Sequence, residues 1–563
     1  MLPVRFVQDR SAIPLSQTAN QFITLFLQNM SPGFASDFLR ERVFFAGLLL
    51  FVIFLPFSEA LVSILSVFLL LQALILRSWN HPSVPRGRPV SLLMITSVFL
   101  IYILGMGFTR DPAFALYELK KVVFWIVIPV AFYYSPRLEP RRFNLLLLCF
   151  IAAVTAASLE ATVRFLFREQ LGITGFREII HISHIRYSFQ VILALILAGW
   201  FMAAGTPFPL RVRKALLLVP VMLWLLLFLL LLKSVTGVIA LLGMVWVFLL
   251  VLAFRQRQSL QRGVLTAALV LLVLAPVGYV WKVWHDFHDS ETLDPEQVDR
   301  FTLSGNPYSF DFSARDRENG HWVHAYLCVD ELRREWNKVS SVDFDSPDGG
   351  GYPCSATLIR YMTSKGLRKD SAGVSQLTPT DIKAIERGIA NHIYVNRSFS
   401  LYPRIYETIW EYDYYTRLGD PNHQSFSQRL EFVKASLLLI GKRPWLGIGT
   451  GNWKLAYAEA YHEMNSRLDP DNQGPSHNQY LNYLVKFGVV GFLAIMGVLL
   501  IPLFREGHRK NLVFWLFLIS IGFANFGDAN LETHMGLSFF TFFYSLFLWH
   551  MPPSFRGALG EET

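Results

Sequence analysis

The stretch ALLLVPVMLWLLLFLLLLKSVTGVIALLGMVWVFLLVLAF, residues 215–254, carries a single charged side chain, Lys233. Its two halves, 215–232 and 235–254, are each long enough to cross a hydrocarbon core of about 30 Å. Between them Lys233-Ser234 leaves room only for a tight turn. Working outward, similar runs recur at 43–56, 60–76, 90–108, 122–134, 143–167, 185–204, 264–281, 480–504, 512–526 and 536–550. Their interiors are nearly free of charge, as the penalty for placing Asp, Lys or Arg in lipid requires. One such run can be a buried core helix; twelve in series read as an all-α polytopic membrane protein.

Composition agrees. Hydrophobic residues make up 53% of the 563 and charged residues 17%, against about 25% charged in soluble domains. The net charge of +9 is unevenly spread. Residues 282–432 hold 17 Lys+Arg and 23 Asp+Glu, a net of −6, which leaves +15 for the rest of the chain. A pI of 9.3 raises a nucleic-acid partner, but a phosphate-tracking groove does not come with so many apolar runs. No nucleic acid is expected. The basic residues instead gather in alternate short loops: Arg77, Arg86, Arg88; Arg137, Arg141, Arg142; Arg211, Arg213, Lys214; Arg255, Arg257, Arg262; and Arg505, Arg509, Lys510. By the positive-inside rule these loops and both termini face the cytoplasm. The organisation expected is a cytoplasmic segment 1–42, nine spans over 43–281, an outside domain 282–479, three spans over 480–550 and a tail 551–563. Residues 1–42 lack the apolar core and cleavage site of a signal peptide, and Phe22–Leu27 reads as an amphipathic surface helix.

The acidic outside block is aromatic and reads as folded. Thr378-Pro379-Thr380-Asp381 before 382–389 predicts a capped helix with Pro in its first turn. Gly349-Gly350-Gly351 reads as a loop. Cys328 and Cys354 lie where a disulfide is permitted, with free thiols the equal alternative. Two D-x-D triplets, Asp343-Phe344-Asp345 and Asp469-Pro470-Asp471, resemble metal-holding pairs but sit in turn-rich sequence, where solvated loop is the better reading.

The residues most suited to chemistry lie between Ser427 and Gly491. Ser476-His477-Asn478-Gln479 opens a span, and S-x-x-Q predicts a capping box that places His477 in the first helical turn. A locally positive helix N-terminus disfavours imidazolium, and a neutral imidazole there can accept a proton from a hydroxyl. A histidine that merely hydrogen-bonds nearby loop is the competing reading. Gly447-x-Gly449-x-Gly451 is either a phosphate-cradling turn or a tight re-entry turn at the lipid surface. Arg186, Lys233 and Arg429 are cations on the outer side, against the orientation bias. Each alone can be a side chain reaching for headgroups; several around one histidine point to a lipid diphosphate.

These residues together resemble the O-antigen ligase (WaaL-type) family, related to Wzy polymerases and protein O-oligosaccharyltransferases. The family pattern H-[NSQ]-x9-G-x-x-[GTY] is met by His477, Asn478, Gly488 and Gly491. Arg429 with Pro444-Trp445-Leu446-Gly447-Ile448-Gly449 resembles its R…P-x-x-G-x-G segment. Leu232-Lys233-Ser234-Val235-Thr236-Gly237 resembles its S-R-[ST]-G turn, with Lys before the Ser in place of Arg after it. Arg186 and Asn530–Gly536 also look like family positions. The resemblance implies a glycosyltransferase-C-like fold and a metal-independent, inverting transfer without cofactor. The donor implied is a glycan on undecaprenyl diphosphate, and the acceptor a lipid A–core hydroxyl. His477 would be the base; Arg429, Lys233, Arg186, Asn478, Gly447 and Gly449 would line the donor site. A polymerase or protein O-glycosylating enzyme would use the same groups on another acceptor. A transporter, the reading from a different class, would show internal repeats, broken helices and charge at mid-membrane, none of which is expected from the sequence.

Overall fold

The computed structural model describes residues 37–85, 87–167, 179–203, 217–289, 291–396 and 400–553. The surface helix expected at Phe22–Leu27, and Arg86, Arg211, Arg213 and Lys214 of the basic loops, lie outside them. Each of the twelve apolar runs folds as helix: Asp37–Phe54, Glu59–Ile75, Val90–Met106, Phe124–Tyr133, Pro140–Leu166, His184–Ala203, Leu218–Leu231, Val235–Arg255, Ser259–His288, Gln479–Arg505, Leu512–Ala524 and His534–Trp549. Five of these are long and apolar enough to cross a membrane: Pro140–Leu166, His184–Ala203, Val235–Arg255, Ser259–His288 and Gln479–Arg505. The run at 122–134 behaves differently from the rest. An amphipathic helix, Pro112–Val122, capped by the Asp111 carboxylate, runs directly into the ten residues of Phe124–Tyr133. Ten residues rise only about 15 Å, half a hydrocarbon core.

The last helix is the hub of the bundle. Every residue from Met535 to Trp549 is buried, as an element apolar on all sides must be. Phe542 stacks on Phe51 at 4.1 Å, and Phe540 meets Trp125 edge-on at 5.8 Å. By contrast, Ser259–His288 is almost wholly exposed along its 30 residues. Its far end packs Val283 and Phe287 against Tyr402, Tyr406 and Ile409 of helix Tyr402–Leu418. The acidic block builds its own core on Trp336, Phe344, Leu358, Tyr361 and Ile385. Its expected helix forms as Pro379–Glu386, with Thr378 and Asp381 in a reciprocal capping box. A buried carboxylate, Glu318, receives Arg360 at 2.7 Å and Asn391 at 2.7 Å, and Arg360 lies over the Trp410 ring, tying the block to Tyr402–Leu418. Cys328 and Cys354 are free, buried thiols.

One backbone feature organises the rest. Helix Gln479–Arg505 is broken at Gly488, which has φ 62° and ψ −170°. In a straight helix Tyr480 and Phe492 would stand about 18 Å apart along the axis; here their rings are 6.3 Å apart. The chain therefore turns sharply at Gly488, and Gln479–Phe487 runs at an angle to the remainder. The gap is filled by the turn 444–451. Val489 and Val490 donate to the carbonyls of Pro444 and Trp445, while Ile448 and Gly449 donate to those of Val485 and Lys486, all at 2.8–3.2 Å. The groups a broken helix leaves unpaired are thus satisfied by a second strand of backbone.

The fit admits no side chain. A Cβ at Gly488 would overlap the Trp445 carbonyl, and one at Gly447 would lie 2.5 Å from that of Lys486. Gly488→Ala is expected to destabilise the protein by several kcal/mol, about 1–2 from left-handed backbone and 1–3 from overpacking. Gly497→Ala, inside regular helix where a Cβ would make only an ordinary contact with Ile501 at 3.8 Å, should leave the melting temperature of the detergent-purified protein unchanged.

Candidate active site

The break sets the direction of the segment that carries His477. The helix begins at Gln479 with Asn478 as its cap; the Asn478 carboxamide oxygen accepts from the amides of Tyr480 at 2.9 Å and Leu481 at 3.1 Å. The expected capping box between Ser476 and Gln479 does not form. Asn is among the best capping residues and takes both donors. The Ser476 hydroxyl donates instead to Asn482 at 2.8 Å, and the Gln479 side chain accepts from the Leu531 amide at 2.8 Å. His477 therefore stands just before the helix rather than in its first turn. Its side chain is half exposed, with Nδ1 3.7 Å from Asp528 Oδ1 and its ring 5.8 Å from that of Phe432. That separation is longer than a hydrogen bond.

Phe432 lies on helix Ser425–Lys442, one turn after Arg429. Among the described residues the Arg429 guanidinium makes no hydrogen bond or ion pair, yet it is largely withdrawn from water. Burial lowers its pKa from the ordinary value, opposed by the nearby Asp528 carboxylate. A desolvated guanidinium that lacks an ion pair is a strong receptor for an anion.

The other two outer cations reach the same end of the bundle through a chain of contacts. Gly527, next to Asp528, packs so closely on Thr236 that a Cβ would lie 2.7 Å from its hydroxyl. Thr236 opens helix Val235–Arg255 behind Ser234, which caps it and contacts Ser188. Ser188 is two residues from Arg186, whose guanidinium donates to Glu59 at 3.2 Å while its buried Nε has no hydrogen-bond partner. Lys233 turns the corner in left-handed backbone, φ 49°. His477 and Asn478 stand beside the 525–528 loop, and Thr236, Ser234 and Ser188 link that loop to the helix starts next to Lys233 and Arg186.

The glycines do something else. The amides of Gly447 and Gly449 donate to Arg443 and Lys486, and those of Ile448 and Thr450 to Val485 and Gly105. No row of free amides remains to cradle a phosphate; of the two sequence readings, the packed re-entry turn is the one that the geometry matches. The Asn478 carboxamide is likewise turned to the protein, donating to the Phe526 carbonyl at 3.2 Å. Of the D-x-D triplets, Asp345 is held by Arg333 and Asp343 by Asn337. No group of three or more His, Cys, Asp or Glu among the described residues is arranged to hold a metal.

Three residues that sequence reasoning passed over, Asp528, Lys486 and Glu118, complete the arrangement. Asp528 had no signal beyond its Asn-Phe-Gly-Asp-Ala-Asn loop. Lys486 lies inside the run 480–504, where the sequence reading expected almost no charge. It is fully buried and donates to Glu118 at 2.9 Å and Glu532 at 2.8 Å. Glu532 also accepts from Tyr102 at 2.9 Å and Asn482 at 3.1 Å. Since Asn482 holds Ser476, this network fixes the residue next to His477. A lysine inside an apolar run demands carboxylate partners, which was the available clue.

Residues 380–496 match a family model described as O-Antigen ligase. The matched segment contains Arg429, the glycine turn, His477, Asn478 and the Gly488 break. Among curated proteins, none matches the chain.

Removing Lys486 would leave buried Glu532 without its cation, while Glu118 keeps only Lys121. Lys486→Met is expected to cost about 3–5 kcal/mol of stability, read as a large fall in the thermal unfolding midpoint in detergent. Lys442→Met, which removes only the exposed pair with Glu463, should cost under about 1 kcal/mol.

Proposed function

We propose, from the match of residues 380–496 to a family model described as O-Antigen ligase, that the protein moves a glycan from undecaprenyl diphosphate to a lipid A–core hydroxyl. The reaction sits at the outer face of the bacterial inner membrane, which the protein crosses about twelve times with both termini inside. The family is one of ligase- and polymerase-type membrane glycosyltransferases. What carries the specific reading is Arg429, a desolvated guanidinium with no ion pair, beside the His477–Asp528 pair.

In the proposed step the acceptor oxygen attacks the anomeric carbon as the bond from that carbon to the diphosphate oxygen breaks. The hydroxyl proton passes to His477 Nε2. Asp528 faces Nδ1, where it orients the ring and stabilises the imidazolium as it forms. Undecaprenyl diphosphate leaves, its charge met by Arg429 with Arg186 and Lys233. Fixed cations neutralise a diphosphate leaving group without reorganising during the reaction, so no metal or cofactor is required. Attack opposite the leaving group inverts the anomeric centre. Lys233 supplies a point charge rather than the two-pronged contact of Arg, so Arg429 carries the larger share of diphosphate recognition. A polymerase or a protein O-oligosaccharyltransferase would use the same donor groups, and the acceptor alone separates these from a ligase.

The test is complementation of a gene deletion, reading both lipopolysaccharide and the undecaprenyl-linked pool. His477→Ala at wild-type expression should leave full-length glycan on undecaprenol and bare lipid A–core, a drop in transfer of about 10²–10⁴-fold. Asp528→Asn should give a smaller loss. Single-unit glycan on lipid A–core would indicate a polymerase, and normal lipopolysaccharide from His477→Ala would refute the assignment of the base.

A further inference from the structure

Helices Val235–Arg255 and Leu512–Ala524 run antiparallel. Near the site they are in close contact: Gly243 accepts the Phe523 ring so tightly that a Cβ would lie 2.5 Å from it, and Thr236 meets Gly527. Toward the opposite end a cavity of ≈ 300 Å³ opens between them. Its floor is apolar, formed by Val251 and Leu252 on one helix and Leu516 and Ile519 on the other. At its mouth stand Arg255, Arg509 and Lys510, together with Trp515, whose indole N–H donates to the Arg509 carbonyl at 3.0 Å. The lining contains no carboxylate.

Loop cations at this end are expected from the orientation rule alone. Orientation does not call for three of them around one apolar slot. An acyl chain fits the floor, a phosphate the cations, and an indole at that level is where interfacial tryptophans sit. We propose that this wedge binds an anionic phospholipid of the leaflet opposite the candidate active site. The inference rests on the reading that both helices span the membrane, and is independent of the glycosyl-transfer assignment. Because the mouth lies at the far end from His477, the ligand is not the donor's diphosphate. An occupant would hold apart the two helices whose other ends present Lys233 and Asp528.

The full chain purified in neutral detergent, titrated with phosphatidylglycerol or cardiolipin, tests this through the thermal unfolding midpoint. The midpoint should rise saturably with either lipid, and neither phosphatidylcholine nor inorganic phosphate should reproduce the rise. The combined variant Arg255→Gln/Arg509→Gln/Lys510→Gln should weaken apparent affinity at least about tenfold. Val251→Trp, which fills the slot and leaves every charge in place, should do the same and decides the matter if the triple variant inserts poorly. Arg257→Gln/Arg262→Gln, in the same loop charge but outside the lining, should bind as wild type. Equal shifts in wild type, the triple variant and Val251→Trp would overturn the proposal. So would equal stabilisation by phosphatidylcholine or by inorganic phosphate alone.

Discussion

The arrangement of the candidate site depends on a break in one helix. An apolar helix that continued unbroken through Gly488 would carry His477 far from the bundle end, since each residue adds about 1.5 Å. A break in such a helix is tolerable only where its freed amides and carbonyls find partners. The turn 444–451 supplies them, and it can approach because Gly447, Gly449 and Gly488 present no Cβ. The glycines and the histidine therefore belong to one device. The glycines allow two stretches of backbone to interlock, and the interlock aims the segment that bears His477.

The second constraint is electrostatic. Lys486 sits about two turns into that segment and is buried between Glu118 and Glu532. Such a trio contributes little net stability, because its desolvation offsets most of the attraction. It does fix geometry, since any rearrangement would leave a charge uncompensated. Through Asn482 and Ser476 it reaches the backbone beside His477. Arg429 is the counterpart: a partly buried cation with no ion pair among the described residues, and so suited to an anion from outside the chain. One set of charges is satisfied and rigid, and the other is left for a ligand.

Much of this was legible in the sequence. The apolar runs fixed the helices to within a few residues, because burial of backbone and exclusion of charge leave few alternatives. The cap at Thr378–Asp381 followed from local chemistry alone. The His477 pattern lies inside the segment 380–496 that matches the family model, and Arg186, Lys233 and Arg429 were singled out by a rule about where cations should not be. What failed did so for physical reasons. The capping box at Ser476 lost to Asn478, a competition between neighbours that residue types alone do not decide. Asp528 lies 51 positions from His477 in sequence, and Glu118 lies 368 from Lys486; pairings at that range are set by tertiary packing. The tightness of the Gly447 turn depends on a helix break that hydrophobic periodicity does not reveal.

The break can be measured directly. Spin labels at Leu481 and Phe504, one on each side of Gly488, report their separation by pulsed electron paramagnetic resonance in lipid bilayers. With Tyr480 folded back beside Phe492, the account predicts roughly 20 Å. An unbroken helix would place the two labels about 35 Å apart, and that distance would contradict the account.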